Sequence, residues 1–281
     1  MSEYLKKHRI LHGAALLIQR WFDHGVARDS AALTYYLLFA LFPLLIFLNN
    51  LVGLLSYDLD ALLAELVTVI PRDVVDLLGQ YLRYISLVSS KTLLWFSAVF
   101  TIYFPYRAAN ALFLSVRKAY GTGAPTNFLR YQLRALLFTL LLIVSIFFAL
   151  FASTIGDRVL DFVSGYVYLN DTFIRLWSWA RFVFVGALMF VVISLLYALA
   201  LDGHPAKRNI LPGVLAAMVA WVVLSMFYSL YVERAARYSI IYGSIGTIIV
   251  LLLWLYLSAA TLIMGAEFNS VLNLKKSEVF T

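Results

Sequence analysis

Runs of about 20 apolar residues recur along the chain, and each is long enough to cross the hydrocarbon layer of a bilayer as an α-helix. Windows of that length give six expected spans, near residues 33 to 55, 92 to 114, 135 to 155, 180 to 201, 210 to 232 and 245 to 267. A segment in lipid must satisfy its own backbone hydrogen bonds, so these runs are read as helices. The composition agrees: hydrophobic residues make up 63% of the 281, charged residues only 13%, and mean hydropathy is +0.88. Too little polar surface remains to coat a soluble globule, so a water-soluble enzyme is excluded. The expected fold is all-α, one integral membrane domain over residues 1–281.

Residues 1 to 28 carry Leu5, Ile10, Leu11, Ala14, Leu17, Ile18, Trp21 and Phe22 at helical spacing among Lys6, Lys7, Arg9 and Arg20. This reads as an amphipathic helix on the inner membrane surface, not as a signal peptide. Asp29 and Ser30 are expected N-caps of the first span, and Pro212 falls in the first turn of the fifth. Residues 56 to 92 hold two further apolar stripes separated at Pro71, an expected pair of amphipathic helices in the first outer loop. Residues 156 to 179, with Tyr166, Tyr168, Trp177 and Trp179, have the aromatic content of an interfacial belt.

The segments on the N-terminal side of the membrane hold 14 Lys and Arg, those on the other side 8. By the positive-inside rule both termini are expected in the cytoplasm. The net charge of +7 then follows from topology and attraction to anionic lipid headgroups, and requires no nucleic-acid partner. The sequence leaves the oligomeric state open, including a homo-oligomer.

Polar residues at membrane depth are the informative ones. The first span carries Thr34, Pro43, Asn49 and Asn50, read either as helix-to-helix hydrogen bonding or as part of a substrate path, with Pro43 favouring a kink. The second holds Pro105, Arg107 and Asn110; Arg107 lies about 22 Å along it, inside the hydrocarbon layer, where it either snorkels or faces a polar cavity. The sixth opens with small residues, Gly243 and Gly246 among them, and closes on Gly265-Ala266-Glu267-Phe268-Asn269. The prolines and glycines Pro43, Pro105, Gly243, Gly246 and Gly265 are read as structural hinges, the glycines also permitting close helix approach. Glu267 must be paired or protonated in apolar surroundings, and its expected partner is Arg107 or Arg134.

Three stretches together resemble the YihY/BrkB family of bacterial inner-membrane proteins. They are Ala32-Leu33-Thr34-Tyr35-Tyr36 running to Phe42-Pro43-Leu44, the region from Asn110 to Arg117 with its basic continuation to Arg134, and Tyr242-Gly243-Ser244-Ile245-Gly246 through Trp254-Leu255-Tyr256 to Asn269. The last is the most specific. The resemblance implies a six-helix protein of the inner membrane; members have been linked to serum resistance and, in one branch, to movement of a lipopolysaccharide precursor. The family also once carried the label ribonuclease BN.

The residues here do not favour a nuclease. The four histidines, His8, His12, His24 and His204, form no metal-ligating motif, and His8 and His12 fit the polar side of the N-terminal helix. With no cysteine, no Walker loop and no nucleophile elbow, neither enzyme chemistry, a metal nor a cofactor is expected. The expected function is translocation of lipid or another amphiphilic anion. Its path would draw on Thr34, Asn49, Asn50, Arg107, Asn110, Arg117, Arg134, Glu267 and Asn269, and its basic inner mouth on Arg107, Arg117, Lys118, Arg130 and Arg134. Topology determination alone also accounts for those basic residues. A small-solute secondary transporter, with Glu267 as a proton-coupled carboxylate, and a non-transporting envelope assembly factor are the alternatives.

Overall fold

The structure is a computed structural model that describes residues 2–54, 63, 72, 75–76, 79–80, 91–123, 125, 127–164, 171–202, 209–234 and 244–277, with side chains described for a subset of these. Seven helices account for nearly all of the described residues, among which there is no strand. In chain order they are α1 (Ser2–Asp23), α2 (Val26–Leu54), α3 (Lys91–Ala119), α4 (Phe128–Ser164), α5 (Asp171–Ala200), α6 (Leu211–Arg234) and α7 (Ser244–Ser277). Most of the expected helix pair in residues 56 to 92, together with Tyr166, Tyr168 and Gly243, lies outside the described residues, as do the side chains of Asn49 and Asn50.

Among the described residues five helices are long and apolar enough to cross a membrane: α2, α4, α5, α6 and α7. The sixth expected span, 92 to 114, is a 29-residue helix, α3, but is not among them. Its length suffices; its apolarity does not. It carries Arg107, Asn110 and several hydroxyls, and buries Ser97, Thr101, Ser115 and Arg117 against its neighbours. Among the described helices, it packs against α2 more extensively than any other pair packs together.

The boundary between α1 and α2 corrects the expected caps. Gly25 adopts φ +63°, a left-handed conformation that strains any residue with a Cβ, and the Gly25 N–H donates to the carbonyl of Phe22 at 3.1 Å. The new helix therefore starts at Val26. Asp29 falls in its first turn rather than ahead of it, and the buried Ser30 hydroxyl has no hydrogen-bond partner. The turn folds α1 back so that it packs on α7.

The main core gathers at one end of the bundle. It joins the end of α3, the start of α4, the end of α5, the start of α6 and the second half of α7 through Phe113, Val116, Tyr197, Leu201, Val214 and Ile263. These ends carry the connections with the larger basic count, so core and basic loops share one pole. A smaller cluster of Leu45, Leu63, Val75, Leu251 and Leu255 forms elsewhere in the bundle. The outward faces stay apolar: along α6, Leu215, Val219, Val222, Met226, Phe227 and Leu230 are all exposed. A soluble protein rarely shows so continuous a patch, whereas lipid solvates it.

Helices α6 and α7 meet through glycine. A Cβ on Gly213 would lie 2.5 Å from Asn269 Cβ and 2.7 Å from the Gly265 carbonyl oxygen; one on Gly265 would lie 2.6 Å from both Ala217 Cβ and Tyr197 Oη. Lipid supplies no hydrophobic drive between helices, so such backbone contact supplies packing instead. Gly265 is thus a contact point inside an unbroken helix. Helices α2 and α3 likewise run without interruption through Pro43 and Pro105. Gly246 is buried near the start of α7.

Candidate functional site

Two groups of polar side chains stand out, and sequence spacing does not predict either arrangement. The first surrounds Glu267, which is fully buried on α7. Its expected partners, Arg107 and Arg134, are both elsewhere. Oε2 accepts from Arg20 Nη1 at 2.9 Å, and Oε1 lies 2.5 Å from His24 Nδ1, an arrangement in which the imidazole N–H donates to the carboxylate. The same Arg20 nitrogen also donates to the Ala119 carbonyl and to Ser270 Oγ, each at 3.0 Å. The correction has a physical cause: the Gly25 turn brings α1 onto α7, and Arg20 and His24, four residues apart, share the helix face that arrives there. That spacing places the two on one helical face, but nothing local in the sequence ties that face to Glu267.

Around this clamp the remaining charges are also engaged. Lys118 Nζ donates to Asp29 Oδ2 and to the carbonyl of His24, both at 2.6 Å, and Ser115 Oγ donates to Asp29 at 3.2 Å. Buried Arg117 donates to the carbonyls of Ala200, Gly123 and Thr122, closing the end of α5 and the loop after α3. Asn269 accepts from the Gly213 N–H at 3.0 Å and donates to the Asn209 carbonyl and Tyr120 Oη. Burial pushes the Tyr120 phenol up to about 12, with Glu267 adding to the rise and the Asn269 hydrogen bond opposing it. The phenol is neutral in this setting.

Arg134 pairs with Asp202. Thr34 donates to the Ser30 carbonyl one turn back, and Asn110 donates to the Tyr106 carbonyl while its own carbonyl accepts from Tyr131. The residues expected at a basic inner mouth are engaged in different ways. Arg117 is enclosed, Lys118 and Arg134 are paired with carboxylates, and Arg130 is exposed at the start of α4.

The second group lies on the side of the bundle. Arg107 is exposed, and Nη2 donates to Tyr36 Oη at 3.2 Å while its guanidinium carbon sits 5.5 Å from the Tyr36 ring centre. Among the described residues no carboxylate forms an ion pair with it. From Tyr36 a run of aromatic contacts continues through Tyr35, Phe39, Phe104 and Phe100 to Phe96, with ring centres 4.4 to 5.7 Å apart.

A helical bundle with five helices able to cross a bilayer, apolar outward faces and its buried charges gathered at one pole defines a multi-pass membrane protein. Comparison with known proteins makes the class specific. The Virulence factor BrkB family matches residues 17–280, and the chain belongs to that family. It is similar to the ribonuclease-like protein YfkH of Bacillus subtilis, 30% identical over 260 residues that span 92% of this chain and 94% of that one. Shorter similarities link it to UPF0761 membrane proteins: 28% identity over 99 residues in Aromatoleum aromaticum, 34% of this chain and 24% of that protein. In Xanthomonas campestris the identity is 32% over 84 residues, 30% of this chain and 20% of that protein. No solved structure matches the chain.

Proposed function

We propose that the chain is a six-span protein of the bacterial inner membrane, with α3 as the sixth span and both termini cytoplasmic, that translocates lipid or another amphiphilic anion. The observation that carries this reading is Arg107: an exposed cation without a carboxylate partner among the described residues, held on the lateral face of a membrane bundle. A charge at that depth is energetically unfavourable unless something polar meets it, and such residues mark paths for ions and substrates. Its neighbour Tyr36 lies ten residues from one end and eleven from the other of the apolar window Val26–Phe47, so the pair stands near the middle of that window.

The other charged groups support the reading by contrast. Glu267, Arg117, Lys118 and Arg134 are engaged in contacts that hold helices together; of the exposed cations Arg107 and Arg130, Arg130 sits at the start of α4, whereas Arg107 lies beside Tyr36 near the middle of an apolar window. Glu267, locked between Arg20 and His24, serves the clamp in this reading, and proton coupling plays no part in the path.

Transbilayer movement of a labelled anionic lipid in proteoliposomes tests the proposal, with wild type and Arg107→Ala at equal reconstitution. Movement above empty liposomes that falls in the variant is the expected result. Wild-type protein that moves no lipid of any headgroup would overturn it and favour a small-solute transporter or an assembly factor.

A further inference from the structure

The geometry points to the Arg107–Tyr36 pair as a binding site for the phosphate of an anionic lipid headgroup, one with no cation of its own to neutralise it, whose tails lie in the bilayer along the aromatic ribbon of α2 and α3. The inference rests on the translocation reading in treating Arg107 as a stop on a path, and adds what stops there.

Three features select this ligand. First, the guanidinium offers five N–H donors, and one hydrogen bond to Tyr36 leaves donors for a bidentate contact with phosphate. The Tyr36 ring packs beside the cation and the hydroxyl fixes its position, so little side-chain freedom remains to be lost on binding.

Second, the site opens sideways. The next two residues on α3, Ala108 and Ala109, are buried in the core, while Tyr35, Phe39 and Tyr103 beside the pair are exposed on the bundle surface. An anion reaches Arg107 from the surrounding lipid. A lipid phosphate comes with its own apolar anchor in that phase, whereas a free soluble anion would have to leave water to arrive.

Third, distance separates the site from the charged pole. Arg107 precedes Lys118 by eleven residues, about 16 Å of helix rise, farther than an arginine side chain extends. In the opposite direction the rings of Phe104, Phe100 and Phe96 extend about the same distance along α3, an apolar aromatic surface against which acyl chains can lie.

The test measures bound lipid on the full-length protein in micelles containing equal phosphatidylglycerol and phosphatidylcholine. Wild type should retain phosphatidylglycerol preferentially. Arg107→Ala should lower that preference about tenfold, the equivalent of one charge-assisted hydrogen bond, and Arg107→Lys should fall between them because an ammonium lacks the planar fork. Excess inorganic phosphate should not displace the lipid. An unchanged preference in Arg107→Ala, or displacement by inorganic phosphate, would overturn the site.

Paired with the proteoliposome assay, the result separates the two claims. Preference lost in Arg107→Ala with lipid movement unchanged keeps the headgroup site and removes its role in translocation. Movement lost with preference unchanged removes the site and leaves translocation standing.

Discussion

Glu267 and Arg107 are both charged residues on helices of a membrane bundle, and the fold treats them oppositely. Glu267 has no exposed surface, and its oxygens are held by Arg20 of α1 and by the imidazole of His24 in the turn that follows. Arg107 faces outward with one tyrosine and a free set of donors. A buried carboxylate must be satisfied within the protein, and once satisfied it resists change because removing either partner strands the other. A charge left at the lipid boundary is satisfied only in part, and its remaining capacity is open to whatever arrives. The first arrangement makes a structural clamp; the second makes a candidate site.

That contrast is most severely tested at the contact that places α7. Gly213→Leu should have the largest effect, because the new side chain begins 2.5 Å from Asn269 Cβ and 2.7 Å from the Gly265 carbonyl oxygen, where only separation of the helices can make room. A loss of more than about 3 kcal/mol is expected, above the usual range for an overpacked core because backbone is what must move. Thermal unfolding in detergent measures it. Wild-type stability in this variant would mean that the α6–α7 contact does not hold the clamp in place.

Next comes the clamp itself. Glu267→Gln keeps the shape of the side chain but removes the charge that faces Arg20 and His24, and should lower stability by about 2–3 kcal/mol. Both partners retain some solvent contact, with side chains 17% and 28% exposed, which keeps the expected loss below that of a fully enclosed pair. Limited proteolysis should release α1 sooner in the variant. Equal melting temperature and equal protection of α1 would break the distinction between clamp and site from the Glu267 side.

The smallest stability effect belongs to Arg107→Ala. Because it is itself exposed and makes one hydrogen bond, to Tyr36, its removal should change stability by no more than about 0.5 kcal/mol in the same unfolding assay. A loss as large as that of Glu267→Gln would place Arg107 among the structural residues and sharpen the comparison in the opposite sense.

Much of the helical framework is legible in the chain. The apolar runs near 33 to 55, 135 to 155, 180 to 201, 210 to 232 and 245 to 267 each coincide with a helix that can cross a bilayer, because length and apolarity are local properties. The run at 92 to 114 shows where that reading weakens. Its helix is present, but its hydroxyls and Arg107 reduce the apolar signal, and only packing explains them: Thr101 and Ser115 are buried beneath neighbouring helices while Arg107 is not. Asn269 was recognisable as a polar residue at depth, yet its bond to the Gly213 N–H joins residues 56 positions apart.

The sequence by itself determined that this is a bundle of apolar helices, that Glu267 required a partner and that Gly265 allowed close approach, since each follows from the chemistry of a residue in its immediate surroundings. Only the tertiary structure decided the identity of that partner. The left-handed turn at Gly25 carries Arg20 and His24 across to α7, over separations of 247 and 243 residues that no local periodicity reports. It also decided which cation stays exposed. Arg107 and Arg117 lie on the same helix, ten residues apart, yet one is exposed and the other enclosed, because the direction a charge faces is set by which neighbouring helices pack beside it.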